Sequence, residues 1–129
     1  IKSDFLAISV TKMLDHYKEL TGKGLSKEEI SKYFEQNLQL LICHDKAYIR
    51  QTVAELGYGL NALIDDKNWQ VREAVAKQGY GLDILVHDED WCVREAVAKQ
   101  GYGLDILIYD NDWYIRKIVK AILNRIIAQ

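Results

Sequence analysis

Arginines 50, 72, 94 and 116 recur every 22 residues, and four guanidinium groups at one fixed step are the most regular source of chemistry in the chain. Planar guanidinium forks fit phosphate oxygens in pairs, so such a series could grip a nucleic-acid backbone. The formal net charge is -2 with acids and bases interspersed; the global basic field that non-specific nucleic-acid binding draws on is therefore missing. His16, His44 and His87 with Cys43 and Cys92 could suggest a metal or a thiol–imidazole pair. Cys43 and His87 lie two periods apart, about 20 Å if each period advances a stack by about 10 Å, whereas zinc ligands converge within about 2.3 Å of one ion. Neighbours such as Cys43 and His44 seldom converge. The two cysteines are similarly remote from each other, beyond the limit of about 7 Å between Cα atoms, and read as free thiols. Gly57-Tyr58-Gly59 and its copies at 79–81 and 101–103 lack the strand and the Lys-Ser/Thr of a phosphate-cradling loop. Neither an enzyme, a cofactor nor a metal is expected.

What must position these residues is a repeat. Residues 71–85 return letter for letter at 93–107, and a fixed period of this length signals stacked units. Looser copies give four registers, starting near residues 37, 59, 81 and 103. Each holds a short apolar segment, an acidic turn and a longer helix. The long helices are expected at about 67–78 and 89–100, with Asp66, Asp88 and Asp90 near their starts, where the macrodipole favours acids. Gly79 and Gly101 stop them. The segments 82–87 and 104–109 are one to two turns long, short α or 3₁₀ helices. Neither helix can bury Val71, Ala74 and Val75, or Leu82, Leu85 and Val86, without the next unit. Trp69, Trp91 and Trp113 stand at the helix starts and would each contribute about 1.5–3 kcal/mol if buried between units; Ala47 stands there in the first. Tyr58, Tyr80 and Tyr102 are expected to pack over the turns with their hydroxyls on backbone partners.

The flanks differ. A helix over residues 4–20, stopped at 21–24, and a second over about 27–36, capped by Ser26 with Glu29, read as a capping pair that covers one end of the stack. At the other end Leu123-Asn124-Arg125 replaces Gly-Tyr-Gly. The helix from Trp113 therefore runs on to about Ala128 and presents Ile115, Ile118, Val119, Ile122, Ile126 and Ile127, either as a cap or as a contact for a second copy or a further segment. With 49% hydrophobic residues the chain suffices for one domain: residues 1–36 a helical cap, 37–111 repeats, 112–129 a capping helix. The expected fold is all-α, a right-handed α-solenoid of about four 22-residue repeats. No run of apolar residues is long enough for a membrane span, and a cytoplasmic location is expected. A first residue of Ile rather than Met suggests a trimmed chain, acting alone or as the repeat module of a larger protein.

The pattern Asp-x-x-Trp-x-Val-Arg-x-x-Val-Ala, at residues 66–76 and 88–98, resembles bacterial leucine-rich repeat variant proteins and, more distantly, HEAT repeats, over roughly residues 37–122. The resemblance implies an α-helix alternating with a short 3₁₀ segment; the proline frequent in that family is absent here, and Gly-Tyr-Gly stands in its place. It also implies a ladder in which Asp66 is set with Arg72, Asp88 with Arg94 and Asp110 with Arg116, while His44 replaces the acid before Arg50. Paired in that way, the arginines would have little field left for phosphates. Such arrays mostly bind macromolecules, and some HEAT-like DNA-repair proteins bind DNA, so nucleic-acid binding through the arginine and aromatic positions is the alternative to a protein partner.

The positions that differ between matching copies remain. Tyr48, Gln70, Cys92 and Tyr114 form one series, Gln51, Glu73, Glu95 and Lys117 a second, and Glu55, Lys77, Lys99 and Ala121 a third. Steps of three and four place them on one side of each long helix. Tyr48, Gln70, Glu73, Lys77, Cys92, Glu95, Lys99 and Tyr114 are the expected partner-binding surface of a non-enzymatic protein–protein scaffold.

Overall fold

The structure is a computed structural model and describes residues 27–129. The helix expected over 4–20, the stop at 21–24 and the Ser26 cap lie outside the described residues. All regular structure within them is helical: α1 (Lys27–Gln36), α2 (Leu38–Ile42), α3 (Ala47–Glu55), α4 (Leu60–Leu63), α5 (Trp69–Lys77), α6 (Leu82–Leu85), α7 (Trp91–Lys99), α8 (Leu104–Leu107) and α9 (Trp113–Ala128). From α2 onward short and long helices alternate. Each long helix packs on the long helix before it and on the short helix that precedes it in the chain.

The two identical stretches take one shape and lie side by side. Their C-caps, Gln78 and Gln100, have φ/ψ of -78/-5° and -78/-4°. Gly81 and Gly103, which open the short helices, have 65/29° and 67/23°. The long helices start at Trp69 and Trp91, two residues later than the spacing predicts, because Asn68 and Asp90 are extended and cap them. Asn68 Oδ1 accepts the Gln70 amide at 2.8 Å and Asp90 Oδ1 accepts that of Cys92 at 2.9 Å, which satisfies an orphan donor of the first turn.

The glycines do two different jobs. Gly79, at φ +76°, ends α5 in the left-handed conformation. Gly81 is also left-handed, but a Cβ there would in addition collide with Ile64 at the end of the preceding short helix; at Gly103 it would lie 2.6 Å from Val86 Cγ2. The second glycine thus lets one unit's turn sit against the unit before it, a reason beyond backbone freedom.

Between the long helices the core is continuous. Ile49, Val53, Val71, Val75, Val93, Val97, Ile115 and Val119 are fully buried, each side chain contributing about 1.5–3 kcal/mol. Ala54, Ala76 and Ala98 are buried where the next long helix lies over them; in α9 the matching position is Lys120, exposed, with no described helix beyond it.

The tryptophans are not buried between units. Trp69, Trp91 and Trp113 are 37, 44 and 64% exposed. The cause is helical azimuth: a residue two places before Val71 lies about 200° around the helix from it, on the side away from the core. Tyr58 stacks on Phe34, centroids 4.9 Å apart, and its hydroxyl pairs with the Ser31 hydroxyl at 2.6 Å, a side-chain partner instead of the expected backbone one. The Tyr80 and Tyr102 hydroxyls take no hydrogen bond among the described residues, because both rings sit at the open rim of their turns. No described helix is long and apolar enough to cross a membrane.

Candidate functional site

The arginine series is built into the junctions between units. Arg50 closes on Asp66, Nε to Oδ2 at 2.7 Å and Nη2 to Oδ1 at 3.2 Å. Arg72 on Asp88 and Arg94 on Asp110 repeat this geometry at 2.8 and 3.2 Å. Nη1 of each turns back: Arg72 donates to the Asp66 carbonyl at 2.6 Å and Arg94 to the Asp88 carbonyl at 2.7 Å, six residues earlier. The carboxylate partner therefore lies sixteen residues ahead, in the following unit, and not six behind as the resemblance implies. The aspartate six residues before lends its backbone oxygen. Its side chain is already engaged, since Asp66, Asp88 and Asp110 also accept the amides of Asn68, Asp90 and Asp112 at 2.9 Å.

This direction explains His44. It occupies the aspartate position, and its Nδ1 accepts the Lys46 amide at 3.0 Å, the same turn-closing bond that Asp66 makes. The residue sixteen places earlier is Glu28, so no guanidinium there requires a carboxylate. The series begins at Arg50, and Arg50 has its acid in Asp66.

Arg50, Asp66, Asp88 and Asp110 are nearly sequestered, and Arg72 and Arg94 only slightly less so. Asp88 holds the Arg72 guanidinium above its ordinary pKa despite the opposing effect of burial, with smaller help from Glu89 and Asp90. The forks of these three arginines face carboxylates, not solvent. Arg116 is different: Nη1 donates to the Asp110 carbonyl, but no carboxylate lies within ion-pair distance of it among the described residues.

A second link joins the other ends of the long helices. Gln78 Nε2 donates to the Glu55 carbonyl at 2.9 Å and Gln100 Nε2 to the Lys77 carbonyl at 3.3 Å, so each satisfies an orphan acceptor on the previous helix.

The varying positions fall on consecutive, touching helices. Tyr48, Gln70, Lys77, Lys99 and Tyr114 are exposed. Glu73 and Glu95 are less open, with side chains 21 and 19% exposed and bound to Lys77 and Lys99 at 3.2 and 3.3 Å. Cys92 is half-buried, and burial, followed by the nearby Asp90, pushes its thiol up to about 11. Cys43 and Cys92 are free. Among the described residues no three of His, Cys, Asp and Glu converge as metal ligands would.

The tryptophans join this surface. Tyr114 meets Trp91 of the previous long helix edge-on, centroids 5.7 Å apart, and Trp113 at 6.3 Å, while Lys117 Nζ sits 5.7 Å from the Trp113 ring. The sequence leaves burial of Trp69, Trp91 and Trp113 open by residue type, but their azimuth relative to Val71, Val93 and Ile115 carries the outward signal. Comparison of the chain with protein-family models, with curated proteins and with solved structures finds no match.

Proposed function

We propose that the chain is a right-handed α-solenoid of leucine-rich-repeat-variant or HEAT-like type, a non-enzymatic scaffold that binds a protein partner through its long-helix face. The side-by-side packing of the identical stretches and the links between units support the stacked reading. In it, residues 37–111 are the repeats, flanked by caps.

The single observation that carries the binding reading is the row of open aromatic rings, Tyr48, Trp69, Trp91, Trp113 and Tyr114, on consecutive helices. None is needed to fill the core, and aromatic rings kept at a surface are what protein interfaces are enriched in. Gln70, Lys77 and Lys99 provide a polar margin. The nucleic-acid alternative draws on the arginines, but Arg50, Arg72 and Arg94 would have to release their carboxylates to reach a phosphate.

Capture of partners from the native host tests this reading, with a photo-crosslinker at Gln70 to map the bound surface. The pair of changes Tyr48→Ser and Tyr114→Ser is expected to abolish the crosslinked protein while the thermal midpoint shifts little. Undiminished crosslinking in that variant, or salt-sensitive binding of duplex or single-stranded DNA by the wild-type chain, would overturn it.

A further inference from the structure

One tryptophan already carries a cation. Lys117 Nζ stands 5.7 Å from the centroid of the Trp113 ring, one turn further along α9, and the negative face of an indole attracts an ammonium placed over it. Trp69 and Trp91 hold the same place in α5 and α7, 37 and 44% exposed. Four residues on, however, they have Glu73 and Glu95 in place of a lysine. Each carboxylate binds a lysine one turn further from the ring, Lys77 at 3.2 Å and Lys99 at 3.3 Å. The two middle units therefore present an open indole beside a carboxylate, without the cation that the last unit supplies to itself. An exposed pair such as Glu73 with Lys77 contributes little, and a carboxylate keeps acceptor sites for a second cation.

We infer that Trp69 with Glu73, and Trp91 with Glu95, are two seats for cationic side chains, and that their occupant is an extended basic segment of the protein partner, with lysine or arginine three residues apart. This rests on the reading of the long-helix face as a protein-binding surface and names the chemistry recognised there. Helices α5 and α7 touch, and packed helices lie about 8–10 Å apart, which sets the step between the seats. A polyproline-type segment has three residues per turn and rises about 3.1 Å per residue, so residues i and i+3 face one way about 9 Å apart. A β-strand fits worse, because its same-side residues recur at about 6.6 or 13 Å.

A second copy of the chain fits worse too. Only Lys117 and Lys120 stand three apart in the sequence. Both lie in α9, where three residues advance about 4.5 Å. Nucleic acid is the poorer occupant of the rings, since Glu73 and Glu95 repel phosphate. Charge also ranks the two seats. Beside Trp91 stand Asp90 and Glu89, the latter's side chain 90% exposed although 3.8 Å from Arg72. Beside Trp69 the exposed Lys67 opposes an incoming cation.

The probe is a blocked peptide, Gly-Arg-Pro-Pro-Arg-Gly, titrated into the full ¹⁵N-labelled chain while its three indole N–H signals are followed. Two controls accompany it: the same residues with the arginines adjacent, and the same order with uncharged citrulline for arginine. Saturable shifts of the Trp69 and Trp91 signals are expected, with Trp113 unmoved. The adjacent-arginine peptide should bind about threefold weaker or less well still, and the citrulline peptide at least about tenfold weaker. Glu95→Gln should weaken binding about fivefold, more than Glu73→Gln does. Lys117→Glu gives the last unit the arrangement of the middle ones and should bring the Trp113 signal into the response, a gain that a damaged fold does not produce. No saturation in the millimolar range, equal binding of either control peptide, or a wild-type Trp113 response equal to that of Trp91 overturns the inference. Indole shifts that follow protein concentration without peptide assign the seats to a second copy and overturn it as well. Where the peptides fail and crosslinking from Gln70 still captures a protein, the surface reading stands and the basic occupant falls.

Discussion

The Asp88 carboxylate closes on Arg72, sixteen residues before it, and Asp88 offers Arg94, six residues after it, only its backbone carbonyl. One residue thus joins two guanidinium groups through different atoms, and substitution can separate them. Asp88→Ala leaves Arg72 buried without its partner, at a cost of about 3–5 kcal/mol. In double-mutant cycles read by urea unfolding, Asp88 should couple to Arg72 by about 1–3 kcal/mol and to Arg94 by less than about 0.5 kcal/mol. Strong coupling to Arg94 would mean that the ladder runs the other way.

Gly101 and Gly103 offer a second separation. Both have positive φ, +78° and +67°, but a Cβ at Gly101 meets nothing within 4 Å, whereas one at Gly103 lies 2.6 Å from Val86 Cγ2. Gly101→Ala should cost the backbone strain alone, about 1–2 kcal/mol. Gly103→Ala should add about 1–3 kcal/mol for the crowded contact. Equal losses in denaturant unfolding would remove the packing reason given for the second glycine.

How much was legible follows from these two cases. The 22-residue period located the helices and their stops because glycine at a helix end and apolar residues on one stripe are local signals. The direction of the ladder was not local: both the aspartate six before Arg72 and the one sixteen after it fit the same spacing, and only the packing of one unit on the next chooses between them. The second glycine was seen but not explained, since its reason is the side chain of Ile64 or Val86 in the preceding unit. For the tryptophans residue type left burial open, while their azimuth pointed outward.

Cys92 supplies a dependence on pH. A thiol raised from 9.0 to about 11 keeps its proton in the folded chain where the unfolded chain has lost it. The resulting stabilisation is fully present below the ordinary thiol range and is lost as pH rises from about 9 toward 11. Alkylation of Cys92 should accordingly climb with a midpoint near 11, because the thiolate is the reacting form. Cys92→Ser should flatten the fall of the urea midpoint over the same interval. A midpoint near 9 would show the site to be more solvated than its half-buried position indicates.

Gln78 tests the link at the far end of the helices. Gln78→Ala removes the donor to the Glu55 carbonyl at 2.9 Å and should cost about 0.5–1.5 kcal/mol, read as a lower thermal midpoint. Hydrogen exchange should quicken at the C-terminal turns of α3 and α5 and leave α9 unaltered. A uniform change across the chain would deny the bond a local role.

Because residues 71–85 and 93–107 are identical and take one conformation, 22 residues could be removed or added between matching positions without altering a junction. In the shortened product Arg72 would meet the aspartate that now serves Arg94, and the joint so formed is one the molecule already contains. The reach of the protein is thereby adjustable in whole steps, with no seam left to repair.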